Sequence, residues 1–278
     1  MTAAPSWAPA RVRVAGMNLR VARRGEGRPL LLLTGIGANL DMWGPFEHLL
    51  DGREVIALDA PGTGLSDRPP YPIRMRQLAE VVVGVLDELG VARTDVLGYS
   101  FGGLLAQELA RRSPERVRRL ILCATAQGTF VFPPRPLPAL MLMSPARYYH
   151  PALFRLMMPR IAGGRTRRDP AQLDNQATAR LARPPELIGY AFQLYAASGF
   201  TSLPWLHSLR QPTLIIAGDD DPIIPLANAR LMAGLIPDAR LRIVKGGGHL
   251  LLLDEPGTVI DDIYAFLDDE ASNGARRA

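Results

Sequence analysis

The chain has 278 residues, 47% of them apolar, which suffices for one large α/β domain with an insertion or for two average domains. Its formal net charge is +5, and Lys245 is the one lysine, so arginine carries nearly all of the basic character. The basic residues are scattered, densest at residues 111–119 and 160–168, and no aromatic ladder runs beside them, which argues against a nucleic-acid partner. No window holds the roughly 20 apolar residues of a membrane span, and residues 1–7 lack a basic stretch followed by an apolar one. Cys123 is the only cysteine; it ends an apolar run and reads as a buried structural thiol. Together these features predict a cytoplasmic protein without a transmembrane segment.

In chain order, residues 1–10 read as a loose arm. Alternating apolar and polar residues at 11–14 and 18–21, around Gly16, predict an antiparallel hairpin. Leu30, Leu31, Leu32 and Leu33 form a continuous apolar run, the pattern of a strand buried on both faces. A loop over 34–39 and a helix over 42–50 follow. The next buried strand, 54–58, runs into a long turn at 59–67. Leu78, Val81, Val82, Val85, Leu86 and Leu89 recur at helical spacing, and Gly90 stops that helix. A short strand at 94–97 leads into Gly98-Tyr99-Ser100-Phe101-Gly102, a helix runs over 104–112, and residues 117–123 form another strand. Strands alternating with helices from 30 to 123 predict an α/β fold with a doubly wound, mostly parallel sheet and the hairpin as its antiparallel edge.

From about 128 to 205 the alternation stops. Prolines, methionines and aromatics predict a helical lid inserted into the sheet domain, whose core is then 11–127 plus 206–268. Within the lid Met141, Met157, Phe192 and Trp205 are the candidate substrate-binding residues, since methionine and aromatic surface adapts to flexible apolar ligands. The sheet resumes at 213–217, followed by Gly218-Asp219-Asp220-Asp221-Pro222 and a helix to about Leu235. A last strand at 240–244 leads to a Gly-rich loop ending in His249, then a final helix over 256–267. Residues 269–278 read as a flexible end.

A strand, then Gly-x-Ser-x-Gly, then a helix is the context of a nucleophile elbow. The sharp turn lifts the Ser100 hydroxyl off the sheet. Serine becomes nucleophilic only when a base takes its proton, and the base needs a carboxylate to orient it. The chain supplies both, in order, at strand ends: the aspartates after residue 217, then His249. Among the aspartates, Asp221 lies three residues past the turn glycine and directly before Pro222, and is chosen over Asp219 and Asp220. His48 falls in the first helix, and His150 and His207, in or beside the insertion, read as polar surface or lid contacts. The amides of Phe101 and Ile36 are the candidate oxyanion donors: one opens the helix after the elbow, the other follows the strand at 30–33.

On these residues the chain resembles the α/β-hydrolase superfamily over 11–268. Further segments are similar to the intracellular depolymerases of medium-chain poly(3-hydroxyalkanoates): Gly35-Ile36-Gly37-Ala38-Asn39-Leu40, Ser144-Pro145-Ala146-Arg147-Tyr148, Arg167-Arg168-Asp169-Pro170, Trp205-Leu206-His207, Arg210-Gln211-Pro212-Thr213-Leu214, Ala217-Gly218-Asp219-Asp220-Asp221-Pro222 and Gly248-His249-Leu250. The resemblance implies a Ser100, Asp221, His249 triad that hydrolyses a stored polyester, possible association with a storage granule, and no metal or organic cofactor. Two positions depart from the pattern: Phe101 stands where the elbow of those enzymes has tryptophan, and Thr34 where many relatives have histidine. Two other readings fit the same triad order or pocket: a small-molecule esterase, lipase or carbon–carbon hydrolase, and a binding protein that retains the pocket without turnover.

Overall fold

A computed structural model describes residues 8–128 and 132–269. Eight strands form one sheet: β1 (Ala8–Val14), β2 (Met17–Arg24), β3 (Arg28–Leu33), β4 (Arg53–Leu58), β5 (Thr94–Tyr99), β6 (Val117–Cys123), β7 (Thr213–Gly218) and β8 (Ala239–Val244). Their spatial order is β1-β2-β4-β3-β5-β6-β7-β8, with β1 and β2 antiparallel and every pair from β4 to β8 parallel. The sheet is thus the doubly wound arrangement that the alternation predicts. Central strands such as β5 and β7 are buried along their whole length because helices cover both faces, whereas the edge strand β8 is only half-buried.

The helices are α1 (Gly44–Glu47), α2 (Met75–Glu88), α3 (Phe101–Arg112), α4 (Pro136–Met143), α5 (Pro151–Ala162), α6 (Gly164–Arg168), α7 (Pro170–Ala182), α8 (Leu187–Ala197), α9 (Leu226–Leu235), α10 (Leu251–Asp254) and α11 (Ile260–Asp268). One face of the sheet packs on α2, α3 and α9 through Leu78, Val85, Leu105 and Met232. The other packs on α1, α5, α10 and α11 through Phe46, Phe154, Leu252 and Phe266. Helices α4 to α8 occupy the segment between β6 and β7, where the strand pattern lapses. Cys123 is fully buried, and burial pushes its thiol well above the ordinary range, so it stays protonated.

Three local expectations change. The loose arm is shorter, because Ala8 already pairs with Arg23 at the sheet edge, where Pro9 is tolerated. Residues 1–7 and 270–278, expected as flexible ends, lie outside the described residues. The helix expected over 42–50 is instead a 3-10 turn at Leu40–Trp43 followed by the four-residue α1. The Asn39 side chain accepts from the Asp41 amide and fixes the start, and the Gly44-Pro45 pair resets the backbone. The final helix divides into a 3-10 turn at Pro256–Thr258 and α11, after a short α10.

Candidate active site

The sheet reverses direction at β3: β4 lies on one side and β5 on the other. The crevice at the carboxyl ends of strands flanking such a point is where ligands bind in open α/β sheets. The loop after β3 carries Ile36, and the turn after β5 carries Ser100. Ser100 holds φ at +53°, a strained conformation for a residue with a side chain. Close packing compels it. A Cβ on Gly98 would lie 2.5 Å from the Gly102 carbonyl oxygen, and one on Gly102 would lie 2.1 Å from the Leu33 carbonyl oxygen. The turn is tied to β6 by the Ser100 amide, which donates to the Cys123 carbonyl at 2.9 Å. It is tied again by the Thr125 hydroxyl, which donates to the Ser100 carbonyl at 2.7 Å.

Asp221 follows β7 and His249 follows β8. The structure brings both to Ser100. His249 Nε2 lies 2.9 Å from Ser100 Oγ, and His249 Nδ1 lies 2.8 Å from Asp221 Oδ2. The other aspartate oxygen, Oδ1, accepts from the amides of Ile223 and Ile224 at 2.8 and 2.9 Å. An aspartate engaged only as an acceptor fixes the tautomer: Nδ1 carries the proton and donates to Asp221, leaving Nε2 to accept from the serine hydroxyl. The ring is further placed by Tyr99, whose hydroxyl donates to the His249 carbonyl at 2.9 Å. Burial holds that phenol well above its ordinary pKa, so it remains a neutral donor.

The neighbouring aspartates face elsewhere. Asp219 accepts from the Gly246 amide at 2.6 Å, and Asp220 accepts from the Gly164 amide at 2.9 Å and pairs with Arg167 and Arg168. His48, His150 and His207 are exposed, while His249 is buried.

The amides of Ile36 and Phe101 donate to no group among the described residues, although both sit beside Ser100. The Ile36–Gly37 peptide next to the first of them is held on both sides from the inserted helices. The Tyr148 hydroxyl donates to the Ile36 carbonyl at 3.2 Å, and the Gly37 amide donates to Gln193 Oε1 at 2.7 Å. Arg147 in turn donates to the hydroxyls of Tyr148 and Tyr190. None of these four contacts has a signal in the local sequence pattern, since each spans more than 40 residues or depends on one that does.

Above Ser100 lies a cavity of about 40 Å³, lined by Ile36, Tyr99, Leu142, Arg147, Tyr148, Met158, Ile161, Arg180, Ile223 and His249. At roughly 10–15 Å³ per water this holds about three waters. Of the four residues expected to bind substrate, Met157 is buried beside Ile161 and Ile223, with Met141 packed on the same cluster, one layer behind the cavity wall. The structure does not bring Phe192 or Trp205 to the cavity. The Phe192 ring lies 5.8 Å from the Arg68 guanidinium, and Trp205 packs on Phe200 and the main core beneath Arg111. Met158, Leu142 and Arg180, which do line it, were not singled out by sequence; an apolar residue on a helix gives no sign of which side meets a ligand.

A serine on the turn after β5, bonded to a histidine after β8 that is bonded in turn to an aspartate after β7, is the arrangement of an α/β hydrolase. Residues 28–256 match the α/β-hydrolase fold family, and the chain belongs to that family. It is 45% identical over 243 residues to a poly(3-hydroxyalkanoate) depolymerase of Ectopseudomonas oleovorans, covering 87% of this chain and 85% of that one. It is 34% identical to a 2-hydroxymuconate semialdehyde hydrolase of Pseudomonas putida, over 86% of each. Among solved structures, the enol-lactonase from Burkholderia xenovorans LB400 superimposes with a TM-score of 0.82 at 25% identity, covering 94% of this chain and all of that one.

Proposed function

We propose that the protein is a serine ester hydrolase that cleaves the ester links of a poly(3-hydroxyalkanoate) and releases 3-hydroxy acids. The observation that carries the reaction class is the unbroken line from Asp221 Oδ1 and Oδ2 through His249 to Ser100 Oγ. In this reading His249 Nε2 takes the hydroxyl proton as Ser100 Oγ attacks the ester carbonyl. The amides of Ile36 and Phe101 receive the oxyanion. Nε2–H then protonates the departing alkoxide oxygen, and a water activated by the same nitrogen frees the acid. The protein needs no metal or organic cofactor for this cycle.

The polymeric substrate is supported by the 45% identity to the depolymerase and by the surface of the inserted helices. Leu137, Leu140, Met143, Leu156, Leu187 and Ile188 are all exposed there, whereas outside the insertion only Leu49, Leu65 and Tyr71 are exposed large apolar residues among those described. Exposed apolar side chains concentrated in one segment suit contact with a hydrophobic solid. On this reading α4 to α8 form a lid, and the enzyme works inside the cell at a granule surface. No helix among the described residues is long and apolar enough to cross a membrane.

The test is incubation with amorphous granules of a medium-chain polyester. Wild type releases 3-hydroxy acids, and Ser100→Ala, correctly folded, releases none. Rapid cleavage of soluble esters with no release from granules selects a small-ester hydrolase instead. Full activity of Ser100→Ala overturns the mechanism.

A further inference from the structure

Arg180, on α7, is 4% exposed and lines the same cavity as Ser100 and His249. Its Nη1 donates to Gln176 Oε1, one turn earlier. Among the described residues it makes no other hydrogen bond and no ion pair. Gln176 is fixed from its other end: Nε2 donates to Asp254 Oδ1 at 3.1 Å. Asp254 is saturated by that bond and by donors from Gln172 and Thr166. The amide therefore separates Arg180 from this buried acid and sets the direction of its guanidinium.

A second buried guanidinium, Arg147, also lines the cavity, but its donors are committed to two backbone carbonyls and two phenol oxygens. Asp221 is committed to His249 and two amides. The cavity is thus lined by a buried guanidinium with donors to spare and, among the described residues, no carboxylate paired to it. Burying such a charge is costly unless an anion joins it, and the flat fork of a guanidinium matches a carboxylate on two donors.

We propose that Arg180 binds a carboxylate of the substrate. Resting on the ester-hydrolase reading above, this makes the protein a chain-end enzyme that cuts the last ester link of a poly(3-hydroxy acid), beside its free carboxyl terminus. In that link the terminal carboxylate carbon is three bonds from the ester oxygen. Ser100 and Arg180 line the same cavity, so the scissile carbonyl and the carboxylate are received on one lining. Ser100 Oγ bonds to the carbonyl carbon, the carbon–oxygen bond of the ester breaks, and the proton on His249 Nε2 passes to the leaving oxygen. The product leaves as a 3-hydroxy acid from Arg180. Water splits the acyl-enzyme, and the shortened chain ends in a new carboxylate that suits the same site. An interior link would enclose the cation with no anion beside it.

The probe is the linear dimer of 3-hydroxyoctanoic acid as the free acid, compared with its uncharged terminal carboxamide. Wild type cleaves the acid with kcat/KM roughly 10- to 100-fold above the amide, the range of one charge-assisted contact. Arg180→Met brings the ratio of the two close to one, and Arg180→Lys restores part of it. A wild-type ratio near one overturns the proposal, as does a variant that lowers both substrates in equal proportion. A measurement on wild type alone covers a variant that fails to fold. The proposal requires that 3-hydroxyoctanoate inhibit aryl-ester hydrolysis competitively and that 3-hydroxyoctanamide do so far more weakly; equal inhibition overturns it. If wild type cleaves neither dimer nor aryl esters, the ester-hydrolase reading itself has failed.

Discussion

The choice among three adjacent aspartates turns on which atoms each can reach. Asp221 Oδ1 is held by two amides, and only Oδ2 faces the histidine. In Asp221→Asn the oxygen stays with the amides, so the NH2 group must face His249 Nδ1. The ring then carries its proton on Nε2 and cannot accept one from Ser100. Hydrolysis of a soluble aryl ester should fall about 10⁴-fold, the scale seen when a triad histidine is locked in the wrong tautomer, with the melting temperature little changed. Asp220→Asn loses ion pairs to Arg167 and Arg168, whose side chains are about half exposed, and pairs of that kind contribute about 0–1 kcal/mol. Its kcat/KM should stay within about threefold of wild type. Comparable losses in both variants would mean that Asp221 is not the orienting acid.

At the scale of elements, the segment between β6 and β7 grips the loop proposed to hold the oxyanion. Tyr148 and Gln193 bind opposite sides of the one peptide between Ile36 and Gly37. Removing the phenol oxygen in Tyr148→Phe leaves this peptide held by Gln193 alone and so loosens, through Cα of Ile36, the adjoining amide proposed for the oxyanion. We expect kcat to fall roughly tenfold, the loss of about one hydrogen bond's worth of positioning, with KM for a soluble ester nearly constant. A lowered melting temperature with kcat intact would show a structural tie only. This coupling marks the limit of what the sequence discloses. The elbow, Asp221 and His249 were legible because each is a short motif at a strand end, where topology alone sets direction. The sheet was legible because buried parallel strands are continuous apolar runs. The contacts of Tyr148, Gln193 and Arg180 were not: Tyr148 stood in a segment noted for resemblance alone, and Gln193 and Arg180 sit in helices with no distinguishing neighbours. Trp205 and Phe192 were chosen for their chemistry, which serves equally well under an arginine at the surface.

For the whole molecule, the two ends of the central strand divide their tasks. Ser100 follows the carboxyl end of β5, while Asp95 lies at its other end, about 17 Å away at roughly 3.3 Å per residue. There Asp95 is 1% exposed and pairs with Arg118, which also donates to the Leu267 carbonyl at 3.1 Å and so clips α11 to the sheet. Burial lifts the Asp95 carboxyl above the ordinary 3.8, against the downward pull of Arg118, Arg53 and Arg119. The folded state therefore holds this proton more tightly than the unfolded chain. That contribution to stability is complete below about 3.8 and is lost as pH rises through the raised value. Arg118→Met removes the strongest opposing charge, moves the carboxyl higher still and leaves a buried carboxylate without its nearest partner at neutral pH. The variant should lose about 3 kcal/mol at pH 7, within the range for breaking a buried pair, and much less at pH 3.5, where Asp95 is protonated in both proteins. Urea melts at the two pH values measure the difference. An equal loss at both would assign the arginine's role to its contact with Leu267 rather than to charge. Because the pair is remote from Ser100, ester hydrolysis at 25 °C by the folded variant should match wild type within about twofold, which separates the stability of this sheet from the chemistry at its opposite edge.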